Sequence, residues 1–198
     1  MRNTKNSCPG KLPADDAWAP QGVIPSPRQA DRGDDAFVFS ARTRVVPEEG
    51  FLRAAATIFS GSVRALFGVD MEIGRDTVSE CGGNVVKLAV DRTLGEEEYL
   101  LEIGGGGIVV AGRECVGVLH GVATLLQLVQ FVRGEVMVPF MKIRDMPSSL
   151  FRGLMVDVAR CRHSPTTLRQ LIVMCWWYKI RYLQLHLTDI QAFTFASV

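Results

Sequence analysis

Two short apolar runs, Phe151 to Val158 and Tyr182 to Leu187, flank a segment whose apolar residues fall at helical spacing, and this combination leaves few folds open. Strands that are apolar without alternation are buried on both faces, as in parallel sheets. Parallel neighbours need a crossover of a dozen residues or more, here a helix predicted over about Thr166 to Ile180, and such crossovers are right-handed. Ser164-Pro165 is its start signal, and Leu168, Leu171, Ile172, Cys175 and Tyr178 form its predicted buried stripe. The last part of the chain therefore reads as a βαβ unit. Loops leaving the C-terminal ends of its two strands share one rim, which is where α/β barrels build their sites.

Upstream the pattern differs. Met1 to about Gly33 is rich in Pro, Gly, Asp and Arg and reads as an arm or linker, ordered from near Val23-Ile24, with Pro20, Pro25 and Pro27 holding each preceding residue extended. Phe37 to Val46 alternates, with Phe37, Phe39, Ala41, Thr43 and Val45 on one face of a predicted strand. Leu52, Ala55, Ala56, Phe59, Val63, Leu66 and Phe67 recur at spacings of three and four, which predicts an amphipathic helix ending at Gly68. Val85 to Val90, Glu98 to Ile103 and Ile108 to Ala111 read as an antiparallel meander with Gly104 to Gly107 as a hairpin turn. Consecutive glycines can also cradle a phosphate, but that requires a helix to follow, and here a strand does.

Glu114 to Phe131 predicts a second helix with Val118, Val122, Leu125, Leu126 and Val129 buried. Gly117 and Gly121, one turn apart, weaken a helix unless they admit close packing against a sheet. After a strand at Val136 to Ile143 the composition changes at Arg144-Asp145-Met146-Pro147, the expected domain boundary. The fold expected for residues 23–145 is an α+β domain, an antiparallel sheet with two helices on one face, behind an arm at 1–22.

Composition narrows the partners. The 198 residues carry 22 Lys+Arg against 21 Asp+Glu, so no overall field exists to hold a nucleic acid. No window approaches the ~18 to 20 apolar residues of a membrane span, so no membrane is expected as a partner either. The first ten residues lack the apolar region of a signal peptide, which leaves the cytoplasm as the default compartment. Cys8, Cys81, Cys115, Cys161 and Cys175 are odd in number and lack CxxC or His-paired spacing, so neither a disulfide framework nor a metal site is expected.

The rim of the βαβ unit collects the chemistry. The first strand delivers Asp157, Arg160, Arg162 and His163, and the second delivers His186, Thr188, Asp189 and Gln191. The series Arg152-Gly153-Leu154-Met155-x-Asp157-x-x-Arg160, a helix ending in Tyr178-Lys179, then His186-Leu187-Thr188-Asp189 resembles the opening of the catalytic barrel of glycoside hydrolase family 20, the β-N-acetylhexosaminidases. Upstream, Ile24-Pro25-Ser26-Pro27, Glu98-Tyr99, and the Glu114, Gly117, Gly121, Thr124-Leu125 and Gln127-Leu128 pattern resemble the non-catalytic domain of that family. The resemblance runs from about Val23 to Phe193.

The resemblance implies that residues 146–198 begin a (β/α)8 TIM barrel, with its first strand, helix and second strand. It implies that Arg160 binds hydroxyls of the terminal sugar, a task suited to a guanidinium fork, though a loop-bracing arginine would look the same. Asp189 matches the family's first carboxylate after the second strand, which supports the active site; a loop-capping Asp is the plainer reading. Arg152 enters the first strand at its bottom end and is read as structural. Asp157 lies in an apolar strand and needs a partner, for which a barrel arginine suffices. His186 is read as a hydrogen-bonded core histidine. Trp176 and Trp177, on the helix, are not expected to stack on sugar.

The implied activity is release of terminal N-acetylglucosamine or N-acetylgalactosamine from glycans by retaining hydrolysis, in which the substrate's acetamido oxygen attacks the anomeric carbon and no cofactor is needed. The sequence departs from the pattern at Cys161, where the family has His, and at Ile190, Ala192 and Phe193, where it often has a second Asp and then Gly-Trp. A barrel takes about 200 to 250 residues, and Met146 to Val198 number 53. The family's Asp-Glu catalytic pair has no counterpart among them. The chain by itself is therefore expected to be inactive, with self-association through the incomplete barrel. Alternatives are a non-catalytic folding or carbohydrate-binding remnant, or a glycosidase family with a similar opening, such as the O-GlcNAc hydrolases or α-glucuronidases.

Overall fold

The computed structural model describes residues 22–74 and 84–194; residues 1–21 of the predicted arm, Cys8 and Cys81 lie outside them. The chain forms two compact units that divide between Met146 and Pro147.

The first unit runs β1 (Gln29–Phe39), β2 (Arg44–Pro47), a 3-10 turn (Gly50–Leu52), α1 (Arg53–Phe67), β3 (Glu72–Ile73), β4 (Val85–Val90), β5 (Tyr99–Gly104), β6 (Gly107–Gly112), α2 (Cys115–Leu128), β7 (Gln130–Val132) and β8 (Glu135–Asp145). The strands form one sheet in the order β1-β8-β5-β6-β4-β2-β3, with β7 also on β8. The expected antiparallel sheet is in fact mixed: β1, β5 and β7 run antiparallel to β8 and β5 antiparallel to β6, but β4 is parallel to β6 and to β2, and β3 parallel to β2. The predicted meander fails for the same reason. The glycine hairpin joins β5 to β6, with Gly104 opposite Gly107, but β4 lies on the far side of β6. Four of the six side chains of Val85-Val-Lys-Leu-Ala-Val are buried without alternation, the signature of a strand covered on both faces.

The predicted strand Phe37 to Val46 is two strands. At Ser40 to Thr43 the chain turns, with the Thr43 N–H donating to Ser40 O at 2.9 Å and the Thr43 hydroxyl accepting from Ser40 N at 2.9 Å. β1 also starts earlier than its alternation suggests, because ladder bonds to β8, rather than buried side chains, order Gln29–Arg32, and a register shift between Arg32 and Ala36 separates that half from the buried half.

Helix α1 buries Ala55, Ala56, Phe59 and Val63 and ends at Gly68, whose φ of 73° places it in the left-handed region. Leu66 stays 58% exposed at the final turn, outside the stripe predicted for it. Helix α2 stops at Leu128 instead of Phe131, since Val129 is extended and Gln130–Val132 pairs with β8. The two helices pack on one another and on the sheet. A Cβ at Gly117 would come 2.5 Å from Glu98 O, and one at Gly121 2.5 Å from Val110 Cγ1, so the two glycines let α2 lie directly on β5 and β6.

The second unit contains β9 (Gly153–Asp157), α3 (Pro165–Trp177), β10 (Tyr182–His186) and a two-stranded ribbon, β11 (Thr188–Asp189) and β12 (Ala192–Phe193), that the sequence pattern does not announce. β9 and β10 are parallel, in a register that runs from Gly153 opposite Tyr182 to Asp157 opposite His186. Ser164 caps α3 by accepting from Thr167 N, and Pro165 occupies the first turn. Of the predicted stripe, Cys175 is buried and Leu168 and Leu171 half-buried, but Ile172 is 56% and Tyr178 38% exposed. Ile172 flanks the stripe, and Tyr178 follows the last helical residue.

Candidate active site

The parallel register places Asp157 and His186 side by side at the C-terminal ends of β9 and β10, and from there the chain turns twice. After β9, the N–H groups of Val158 and Ala159 both donate to His186 O at 3.1 Å, tying the first rim loop to the second strand. After β10, the β11–β12 ribbon folds back, with Thr194 N donating to Leu187 O at 3.0 Å and the Thr194 hydroxyl to Val158 O at 3.2 Å. These main-chain ties bring four predicted residues together.

Asp157 Oδ1 accepts from the N–H groups of Ala159 at 3.0 Å and Arg160 at 2.9 Å, while its Oδ2 accepts from Arg160 Nε. The same Nε lies 3.3 Å from Asp189 Oδ2. That oxygen is also 3.2 Å from His186 Nε2, and Asp189 Oδ1 accepts from Ile190 N at 2.6 Å. The electrostatics follow from these contacts. The N–H and then the guanidinium of Arg160 hold Asp157 below the usual carboxylate range. His186 and the Ile190 N–H do the same for Asp189. Asp157, followed by Asp189, raises Arg160 above the ordinary guanidinium value. The site is a fixed cation held between two ionised carboxylates.

Asp157, His186 and Asp189 each bring a possible ligand atom within 4.8 Å of the others. The guanidinium already lies on both carboxylates, and a metal would have to displace it. Arg152 is elsewhere: at the start of β9 its Nε donates to Lys179 O at 2.7 Å, its Nη1 donates to Ser149 O, and its own carbonyl accepts from Arg181 and Tyr182 N–H. It binds the start of β10 to that of β9, at the end opposite the cluster. Trp176 and Trp177 contact one another edge-on at 6.0 Å on α3. Cys161 is exposed beside Arg160, and the predicted rim residue His163 takes no part in the cluster.

Sequence reasoning did not find the β11–β12 ribbon, nor the sharing of one arginine by both aspartates. The ribbon turns at Asp189-Ile190-Gln191 without the glycine or asparagine that marks most tight turns.

Residues 20–146 match the description "Glycosyl hydrolase family 20, domain 2" and residues 150–198 match "Glycosyl hydrolase family 20, catalytic domain". The chain is 30% identical to a beta-hexosaminidase of Porphyromonas gingivalis over 86% of its own length and 23% of the relative, and 31% identical to a beta-N-acetylhexosaminidase of Cellulomonas fimi over 85% and 35%. It thus spans about a third or less of the length of the curated relatives it matches. Among solved structures, a mutant beta-hexosaminidase of Streptomyces plicatus in complex with its product GlcNAc superposes with a TM-score of 0.79 at 27% identity, covering 92% of this chain and 37% of that one. The exo beta-N-acetylglucosaminidase of Vibrio harveyi in complex with N-acetylglucosamine shares the fold, with a TM-score of 0.80 at 23% identity over 96% of this chain and 29% of that one. With a domain match over most of its length, a second match over the segment that holds Asp157, Arg160 and Asp189, and relatives of one kind, this chain belongs to glycosyl hydrolase family 20.

Proposed function

We propose that the chain supplies the non-catalytic domain and the first barrel strands of an exo-β-N-acetylhexosaminidase, removing terminal N-acetylglucosamine or N-acetylgalactosamine from glycans by substrate-assisted, retaining hydrolysis. In this reading residues 23–145 form the family's non-catalytic domain and residues 146–198 open its (β/α)8 barrel. Arg160 binds sugar hydroxyls and Asp189 supports the site. The single observation that carries the reading is the state of Arg160: its Nε is engaged by carboxylates, and Nη1 and Nη2 donate no hydrogen bond among the described residues. A guanidinium held on one edge and open on the other is a ready donor pair for two neighbouring hydroxyls.

The 198 residues alone are proposed to be inactive. A general acid needs a pKa near the working pH. Beyond Asp145 the only carboxylates in the sequence are Asp157 and Asp189, and both are held low by their partners. The test is a graft: this segment replaces the matching part of a family relative, and hydrolysis of a chromogenic N-acetylglucosaminide is measured. Turnover by the graft, lowered roughly 10- to 100-fold in kcat/KM by Arg160→Ala, supports the reading. A graft whose turnover ignores Arg160 refutes it.

A second reading, a non-catalytic folding or sugar-binding module, draws on the well-buried core of the first unit and on the absence of a raised carboxylate in the second among the described residues.

A further inference from the structure

The guanidinium of Arg160 is steered by a residue that would not itself touch sugar. Asp157 closes β9, where its backbone is fixed by the ladder to His186, and one of its oxygens accepts from two consecutive N–H groups, those of Ala159 and Arg160. The other oxygen takes Arg160 Nε. One carboxylate therefore sets both the main-chain turn that launches Arg160 and the direction of its side chain. Asp189 has a weaker claim on the same group, since it is farther from Nε, at 3.3 Å, and shares the oxygen concerned with His186 Nε2.

We propose that Asp157 is the positioning residue for Arg160: it holds the Nε edge of the guanidinium so that Nη1 and Nη2 face outward as a paired donor for two adjacent hydroxyls of a pyranose. The proposal rests on the reading of Arg160 as a sugar contact and adds the residue that makes that contact directional. A flexible arginine must be ordered by the ligand it binds, which weakens binding, whereas one held beforehand carries no such cost.

Asp157→Asn separates positioning from a merely structural role. Asparagine keeps an acceptor for the N–H groups of Ala159 and Arg160, but it puts an NH2 where Oδ2 received Nε. The readout is nuclear magnetic resonance of the 15N-labelled 198-residue chain, following the Arg160 Nε–Hε signal. In the unsubstituted chain this hydrogen should exchange with solvent at least roughly 10-fold more slowly than that of the exposed Arg169. In Asp157→Asn it should exchange as fast as Arg169, with the amide signals of Ala159 and Arg160 little moved, while in Asp189→Asn it should stay slow.

Fast exchange already in the unsubstituted chain overturns the proposal, and that measurement does not depend on any variant folding. So does a slow signal that survives Asp157→Asn, or one that is lost in Asp189→Asn instead. Addition of N-acetylglucosamine then tests the underlying reading separately. If the sugar leaves the Arg160 signals of the unsubstituted chain unmoved while Asp157→Asn still frees Nε, the sugar assignment fails and the hold by Asp157 stands.

Discussion

The Tyr99 hydroxyl donates to Asp145 Oδ2 at 3.0 Å from the opposite strand of the sheet, in a place where both residues are buried. The Thr124 hydroxyl of α2 lies 2.7 Å from the same phenol oxygen, and the other carboxylate oxygen of Asp145 accepts from Arg28 N at 3.2 Å. One hydrogen-bonded group thus joins β5, β8, α2 and the chain entering β1. Burial, and then the charge of Asp145, raise the Tyr99 phenol well above its ordinary value, so it serves as a donor and not as an acid.

Tyr99→Phe removes that donor without opening much space, so the Asp145 carboxylate and the Thr124 hydroxyl each lose one buried hydrogen bond. The expected loss is about 1 to 3 kcal/mol, the usual cost of removing one partner of a buried hydrogen bond. Urea denaturation followed by circular dichroism reads it as a lower midpoint with an unchanged slope; an unchanged midpoint would show that water takes over the phenol's role.

Gly117→Ala and Gly61→Ala should move stability in opposite directions, although both place alanine in a helix. At Gly117 the new methyl meets the backbone oxygen of Glu98 at 2.5 Å, so α2 must lift off β5, at about 1 to 3 kcal/mol or more. At Gly61, on the exposed face of α1, nothing lies within 4 Å, and the better helix propensity of alanine should stabilise by about 0.5 to 1 kcal/mol. A melting comparison of the two variants with the unsubstituted chain decides it.

Gly117 and Gly121 also show what the sequence made legible. Their spacing on α2 announces close packing, and the structure supplies the surface, the Glu98 carbonyl and Val110. The family-like motifs upstream resolve into physical pairs: Gln127 hydrogen-bonds both the N–H and the carbonyl of Ile24, at 2.9 and 3.1 Å, and Tyr99 meets Thr124. Strand pairing was less legible. Periodicity marks each strand but says nothing about which neighbour it takes, so the parallel placement of β4 beside β6 is not legible there, and the apolar residues Val85-Val86 and Leu88-Ala89-Val90 on either side of Lys87 only hint at it. In the rim cluster, residue types and chain order pointed to Asp157, Arg160, His186 and Asp189. Which oxygen meets which nitrogen depends on the β9–β10 register and on the β11–β12 ribbon, and neither leaves a mark in composition.

The acid limb of the stability curve should depend on Glu98. Its carboxylate accepts from Gly95 N at 2.8 Å and from Arg144 Nε at 2.8 Å, and these bonds lower its pKa in that order of importance. With the folded pKa below the unfolded one, the unfolded chain binds more protons in that range. The stabilisation is complete above the unfolded value, about 4.3, and is lost as pH falls through the lower folded value. Glu48, held low by the Val90 N–H and then by Lys87, adds a contribution of the same sign. Glu98→Gln should therefore be less stable than the unsubstituted chain near neutral pH, with the gap closing as pH falls below about 4. A gap that widens on acidification would contradict the assignment.

The two units should behave differently when separated. Of the buried apolar residues among those described, only Val158 and Cys175 belong to the second unit, while Leu150, Phe151, Met155, Ile172, Val173, Met174, Leu185, Ile190 and Phe193 leave it with large exposed apolar surface. Its two parallel strands also form a sheet of their own, so among the described residues each has an edge with no strand beside it. Exposed apolar patches and open strand edges drive association. Residues 22–146 alone should therefore remain monomeric and unfold in one cooperative step, since their core is built from both helices and the sheet. The 198-residue chain should self-associate as its concentration is raised, and Ile190→Lys together with Leu150→Lys, at sites 97% and 81% exposed, should weaken that association without lowering the melting temperature of the first unit. Analytical ultracentrifugation of the three proteins checks this. A monomeric 198-residue chain, or a shortened one that melts without cooperativity, would mean that the apolar faces of β9, α3 and β10 are satisfied within the molecule.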